Sequence, residues 1–368
     1  MGQETDVFVV GGGPAGLAAA IGARTRGFRV IVADGVKPPI IKACGEGLLP
    51  DALKALGKLG VALREEDGRA FRGIHFEDDQ SSVSADFPDG HGLGVRREVL
   101  HQRMMERAQD CGVEFLWNTS VAGLYKDGVI AGGNKIQARW VIGADGSRSR
   151  VRRWSGLESH ISKRNRIGFR QHYRLEPWTD FTEIHWGEAA QAYVTPVGAQ
   201  EICVVLISRI PNSCFDENLR KFPKLANRLR LAPSASHERG AVTSMFDLKR
   251  VVRGSVALLG DASGSVDAIT GEGLSLGFRQ ATALANALAA GKLERYEKAH
   301  RRLARRPRLM GNLLLLLGGQ SGLRERILRA LEADPQVFES ALAYHVGETR
   351  PLQLATAGAI FGWRVLTA

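Results

Sequence analysis

The chain has 368 residues, 44% hydrophobic and 24% charged, the balance of a globular protein long enough for two domains of ordinary size. A net charge of +11 accompanies only 7% aromatics and widely spread arginines, which argues against nucleic acid and leaves a solvated arginine-rich surface or, beyond that, attraction of a phosphorylated nicotinamide cofactor or acidic lipid headgroups. Four cysteines (Cys44, Cys111, Cys203, Cys214) without metal-ligand spacing, a polar start and no apolar run near the ~20 residues of a membrane span predict a reduced, cytoplasmic protein with no structural metal.

In chain order, residues 6–10 (DVFVV) predict a short buried strand, followed by glycines and a helical run over 15–26 that stops at Gly27. Residues 28–33 (FRVIVA) predict a second strand closing at Asp34, so the start reads as a βαβ unit. A loop rich in glycine and proline covers 35–50, and alternating segments at 71–76 and 82–87 predict strands of a separate sheet. A helix is expected over 97–111, then strands at 113–116 and 140–143. From 167 to 208 long alternating stretches predict an antiparallel sheet with one face covering something. A strand at 256–259 leads through a glycine loop into a helix over 273–290, and the remainder is mainly helical. No repeat or low-complexity linker separates these parts, so one domain is expected to interrupt the other. The division is 1–69, 88–165 and 245–292 for the first domain, 70–87 and 166–244 for the sheet domain, and 293–368 for a helical region.

Three glycine-rich segments carry the chemistry. In Gly11-Gly12-Gly13-Pro14-Ala15-Gly16, Gly11 allows a tight turn, Gly13 lets backbone approach a pyrophosphate, and Gly16 lets the helix pack on the sheet. The helix N-terminus offers free amides to an anion, and Asp34 stands where a carboxylate can accept from ribose hydroxyls. The second segment is Gly143 to Arg150, containing Asp145 and Gly146. The third begins Gly260-Asp261 and continues to Gly271-Glu272-Gly273-Leu274 at a helix start. Asp261, read as ending a buried strand, is costly there unless it bonds a ligand hydroxyl or a backbone amide.

In this order the segments resemble the p-hydroxybenzoate hydroxylase superfamily of flavoproteins, over about residues 5–290. The resemblance implies an α/β protein: a Rossmann-type FAD-binding fold interrupted by an antiparallel-sheet substrate domain, with C-terminal helices. It implies non-covalent FAD on Gly11, Gly13, Pro14, Ala15, Gly16 and Asp34, on Arg97 and Val121, on Asp145 and Gly146, and on Gly260, Asp261, Gly271, Gly273 and Leu274. Lys42-Ala43-Cys44-Gly45 adds a further FAD contact, because Lys42 to Gly47 is similar to the cysteine–glycine loop of geranylgeranyl reductases. The run 260–281 resembles that branch too, with Gly264 and Ala268 where aromatic hydroxylases carry histidine and proline.

The leading expectation is therefore a flavin oxidoreductase that reduces carbon–carbon double bonds of a lipophilic small molecule. The alternative is a monooxygenase hydroxylating an aromatic or polyketide-type substrate; a halogenase or a non-redox flavin binder ranks below both. Either leading chemistry sits on the cofactor, so the catalytic side chains stay open, with Cys44 and Tyr193 as candidates and His185 or Trp186 facing the pocket. Without a second glycine fingerprint, NAD(P)H as electron donor binds transiently over the flavin, or a partner delivers the electrons. The basic stretch 300–308, the apolar run 313–317 and the apolar ending 352–368 are expected to pack on the flavin domain and substrate sheet, with peripheral contact with a membrane surface as the sharper alternative. The oligomeric state is not encoded in any motif.

Overall fold

The computed structural model describes residues 3–158 and 164–348. Its first sheet has eight strands, with a parallel centre in the order Val256–Leu258, Asn134–Gly143, Glu4–Val10, Val30–Ala33 and Glu114–Leu116. Strand Glu4–Val10 is central and its Val7, Phe8 and Val9 are fully buried, as expected of a parallel strand covered on both faces. Helix Pro14–Arg24 packs on this sheet, and helices Arg97–Asp110 and Gly273–Ala289 pack against that helix. Gly22 permits the close approach of Pro14–Arg24 to Gly273–Ala289, since a Cβ there would lie 3.1 Å from that of Ala285. The second strand begins at Val30 rather than at residue 28, and Phe28 instead sets its ring edge-on to Trp140 at 5.4 Å. A hairpin of Val121–Tyr125 and Gly128–Ala131, not foreseen from sequence, extends the sheet beside Asn134–Gly143.

The second sheet has seven strands in the order Arg239–Met245, Arg164–Tyr173, Glu201–Ser208, Ala190–Gly198, Phe181–Gly187, Gly73–Glu77 and Ser82–Asp86. All pairs are antiparallel except Phe181–Gly187 with Gly73–Glu77. The alternating segment at 71–76 is split at Arg72: Gly68–Phe71 belongs to a small sheet with Gly47–Leu48 and Gly92–Val95. Alternation along Glu201–Ser208 sorts its side chains. Val204 and Leu206 pack with Phe215, Phe222 and Leu225 behind the sheet, while Cys203, Val205 and Ile207 join the cluster on the front. Helices Glu294–Leu317, Ser321–Ala333 and Pro335–His345 close that front face, Leu314, Leu317, Phe338 and Leu342 packing with Phe76 and Ile184. The protein is thus a Rossmann-type fold interrupted by an antiparallel sheet, with helices at the C-terminal end. The apolar ending at 352–368 lies outside the described residues.

Candidate active site

The glycine loop follows strand Glu4–Val10 and divides its labour by position. Gly11 has φ 109°, and a Cβ there would meet the Ala144 carbonyl oxygen at 2.5 Å. A Cβ on Gly16 would lie 1.9 Å from the Gly11 carbonyl oxygen, so this glycine sets the contact between helix and strand. A Cβ on Gly13 would meet no atom within 4 Å, because this position faces an open cavity. Gly13 is also the N-cap of helix Pro14–Arg24 and supplies no side-chain cap, leaving the first amides to an anion. Asp34 accepts from the Gly12 amide at 2.8 Å and the Val36 amide at 3.1 Å. A carboxylate has about four acceptor positions, so Asp34 can take a ligand hydroxyl as well.

Helix Arg97–Asp110 supports this loop from below. The Arg97 residue is 8% exposed, and its Nε is buried without a hydrogen-bond partner beside the cavity. A buried guanidinium donor left over in this way fits a negatively charged ligand. One turn later, His101 is buried with Nε2 2.9 Å from the Gly12 carbonyl oxygen. Burial lowers its pKa, so the neutral ring donates from Nε2 and pins the loop. Sequence reasoning missed His101, although its i+4 spacing from Arg97 placed both on one helix face.

The other two segments come to the same cavity with different duties. Asp145 accepts from Ser149 Oγ at 2.5 Å and from the amides of Arg150 and Val151 at 2.7 and 3.2 Å, so it starts helix Arg150–Trp154. Asp261 does not end a buried strand: the strand stops at Leu258, and Asp261 lies in the turn Gly260–Ser263. Its carboxylate meets Lys42 Nζ at 2.6 Å, a half-exposed pair that joins the third segment to the Lys42–Gly45 loop. Solvent access, rather than a buried hydrogen bond, makes that acid tolerable. A Cβ on Gly273 would meet nothing within 4 Å, again open space beside a helix start.

Beyond Lys42, the loop is anchored by a residue not proposed from sequence. Glu46 adopts φ 61°, and its fully buried carboxylate accepts from the Arg97 amide at 3.1 Å. The same carboxylate meets His172 Nε2 at 2.5 Å and Arg170 Nη1 at 3.2 Å. Burial raises the pKa of the neighbouring Cys203 thiol, and Arg170 supplies the cation in this cluster. Cys44 accepts a hydrogen bond at Sγ from the Glu46 amide at 3.4 Å. Tyr193 donates to the Ile269 carbonyl oxygen at 3.3 Å, and burial raises its pKa. His185 and Trp186 do not line the cavity. His185 lies between Glu183 at 2.8 Å and Glu77 at 3.5 Å, whereas Trp186 packs against Phe76.

One cavity of about 1130 Å³ joins these parts, above the ~300–1,000 Å³ of ordinary small-molecule pockets. The FAD-binding and catalytic candidates read from sequence line it, except Gly16, whose place is in the packing beneath; His185 and Trp186, expected to face it, do not. The glycine segments surround one end. The other is apolar, with Phe76, Ile184, Val205, Leu314, Phe338 and Leu342 on its walls. Sequence could name the first end by motif; the second is assembled from elements far apart in the chain.

Comparison with known proteins identifies the family. Residues 4–303 match the family described as FAD binding domain. The chain is 27% identical over 321 residues to menaquinone reductase of Mycobacterium tuberculosis, covering 80% of this chain and 78% of that protein. It is 28% identical to digeranylgeranylglycerophospholipid reductase 1 of Methanothermobacter thermautotrophicus, covering 84% and 83% respectively. Among solved structures, a flavoprotein/dehydrogenase from Cytophaga hutchinsonii superposes with a TM-score of 0.84 at 18% identity, over 99% of this chain and 100% of that one. The glycine loop, the unpaired Arg97 and the extent of the family match lead to one conclusion: this chain belongs to the FAD binding domain family and is an FAD-dependent oxidoreductase.

Proposed function

We propose that the protein uses FAD to reduce carbon–carbon double bonds in a lipophilic, polyprenyl-type molecule. The observation that carries this reading is the continuity of the cavity from the glycine segments into an apolar compartment walled by the C-terminal helices. Gly11, Gly13, Pro14 and Ala15 with Arg97 hold the pyrophosphate, and Asp34 holds the adenosine ribose. Lys42 to Gly45, Val121, Asp145, Gly146, Gly260, Asp261, Gly271, Gly273 and Leu274 line the rest of the cofactor's course. Bound there, the flavin supplies hydride, while the protein orients the chain and excludes water. The names of both relatives above are reductases of isoprenoid-bearing molecules, which supports this substrate class. NAD(P)H binding transiently over the flavin supplies the electrons. Cys44 and Tyr193 border the place where substrate meets the flavin.

The same reading gives the long C-terminal helix a second duty, contact with an acidic lipid surface. On helix Glu294–Leu317, Arg302, Arg305, Leu309, Leu313 and Leu316 are all exposed. Spacings of three and four place them in one stripe, basic at one end and apolar at the other. The three leucines are 43%, 45% and 53% exposed and also line the cavity, so the stripe borders its opening. No described helix is long and apolar enough to cross a membrane.

The test is anaerobic reduction of the FAD-loaded protein followed by mixing with a digeranylgeranyl lipid or a polyprenyl quinone. Flavin reoxidation together with a product two mass units heavier per reduced double bond is expected. A hydroxylated product formed only when oxygen is admitted replaces this reading with monooxygenation.

A further inference from the structure

The cavity's apolar half needs a source of protons, because reducing a double bond adds hydride to one carbon and a proton to the other. We infer that His345, backed by Glu272, is the acid that delivers this proton. The inference rests on the double-bond reductase reading of the same site. His345 ends helix Pro335–His345 and lines the cavity beside Thr270, Gly271 and Met310, where the third glycine segment meets the apolar walls.

Both ring nitrogens of His345 face acceptors. Nε2 lies 2.9 Å from the Thr270 carbonyl oxygen, and Nδ1 lies 3.5 Å from Glu272 Oε2. A ring with one proton would spend it on Thr270 and turn a lone pair towards a carboxylate. A ring with two protons satisfies both neighbours. The two atoms that would gain, His345 Nδ1 and Glu272 Oε2, are buried without any hydrogen-bond partner.

The other charges around the ring are paired with one another. Glu272 is 0% exposed and faces Arg306 at 3.2 Å and Arg279 at 3.7 Å. Asp51, from helix Pro50–Lys58, faces the same two arginines at 2.9 and 3.7 Å and accepts from Ser275 Oγ at 2.7 Å. Two carboxylates against two guanidinium groups balance. The doubly protonated ring therefore adds one net positive charge to a buried cluster, and its neutral form removes it. With FAD held by the glycine segments, the cofactor would supply hydride with its electron pair to one carbon. The imidazolium transfers a proton to the other, the π bond becomes two C–H bonds, and flavin and imidazole are left oxidised and neutral. The next turnover regains the proton from water.

The experiment compares the FAD-loaded full chain with His345→Gln, which can still donate to Thr270, and with Glu272→Gln. Each is photoreduced without oxygen and mixed with a digeranylgeranyl lipid, while oxygen mixing serves as a control. His345→Gln should keep FAD and its oxygen reaction but reduce the lipid about 100-fold more slowly, at the lower end of what general acids contribute. The wild-type rate should fall with rising pH, and the variant's should not. In the apo protein, ¹⁵N-histidine spectra should contain a ring protonated at both nitrogens whose signals are missing in His345→Gln and altered in Glu272→Gln. A single ring proton on His345 overturns the inference, as does a His345→Gln variant with wild-type rate and pH profile. A wild-type protein that leaves the lipid unreduced defeats the reductase reading instead, and the apo spectra still decide the state of His345.

Discussion

Two glycines three residues apart make opposite demands. Gly13 faces open cavity and Gly16 touches backbone, so Gly13→Val should leave the melting temperature of the apo protein near wild type and abolish FAD retention. Gly16→Ala should instead cost the fold itself at least ~1–3 kcal/mol, the usual price of overpacking, since a carbonyl oxygen 1.9 Å away cannot retreat as a side-chain tip can. Calorimetry and flavin content of the two variants separate the roles. If Gly13→Val retains full flavin, the proposed pyrophosphate site is wrong. His300 offers a pH test at the same scale. Burial first, then the charges of Arg308 and Arg301, push its pKa from 6.5 down to about 4. The folded state therefore binds fewer protons than the unfolded one between those values. Stability contributed by the neutral ring is complete above about pH 6.5 and is lost as pH falls towards 4, by up to about 3 kcal/mol. His300→Gln, which can still bond Ser263 Oγ, should flatten that part of the urea-derived stability profile. Equal slopes in both proteins would show that His300 is not the titrating group.

Helix Glu294–Leu317 carries leucines that line the cavity and are also exposed to solvent. Replacing Leu309, Leu313 and Leu316 together by glutamine should change stability little, because all three are at least 43% exposed. It should nevertheless weaken co-sedimentation with acidic vesicles at low salt. Basic residues contribute only about 1 kcal/mol each at such a surface, so wild-type binding should be weak and disappear in high salt. Equal sedimentation of variant and wild type would remove the leucine stripe from the contact. This helix also marks the limit of what sequence could disclose. The βαβ start was legible because Gly11 and Gly16 answer to local geometry within the motif. The alternating strands were legible because their period sorts two faces. The parity of Trp186 and His185, by contrast, depends on register with Gly73–Glu77, about a hundred residues away. Asp261 was misplaced for a similar reason: its partner Lys42 is 219 residues distant, and nothing near it in sequence signals a half-exposed ion pair. Glu46 with His172 and His345 with Thr270 are further pairs made only by folding.

At the scale of the molecule, the parallel sheet and the antiparallel sheet have separate hydrophobic clusters, and the cavity lies where they meet. A cofactor in that position binds only the assembled state and should stabilise both parts together. Free FAD at about 100 times its Kd should raise unfolding free energy by about 2.7 kcal/mol, seen as a rise in melting temperature that depends on FAD concentration. FMN, which lacks the half proposed to meet the glycine loop, should give a smaller rise at equal concentration. Identical shifts with the two flavins would deny the adenosine end any part in binding.

The order of strands in the parallel sheet also sets a timetable for synthesis. Central strand Glu4–Val10 emerges first, but one of its neighbours is Asn134–Gly143, and that strand's next parallel partner is Val256–Leu258. At about 5–20 residues per second, the last of these follows the first after on the order of 10–50 s. In the interval the ribosome has produced the whole antiparallel sheet while the glycine loop still lacks Gly260 and Asp261. Nascent chains arrested before residue 258 should therefore fail to capture flavin, however long they wait, and chains released past Ala289 should begin to do so. For this protein the cofactor cannot template early folding; it can only reward a chain that is nearly finished.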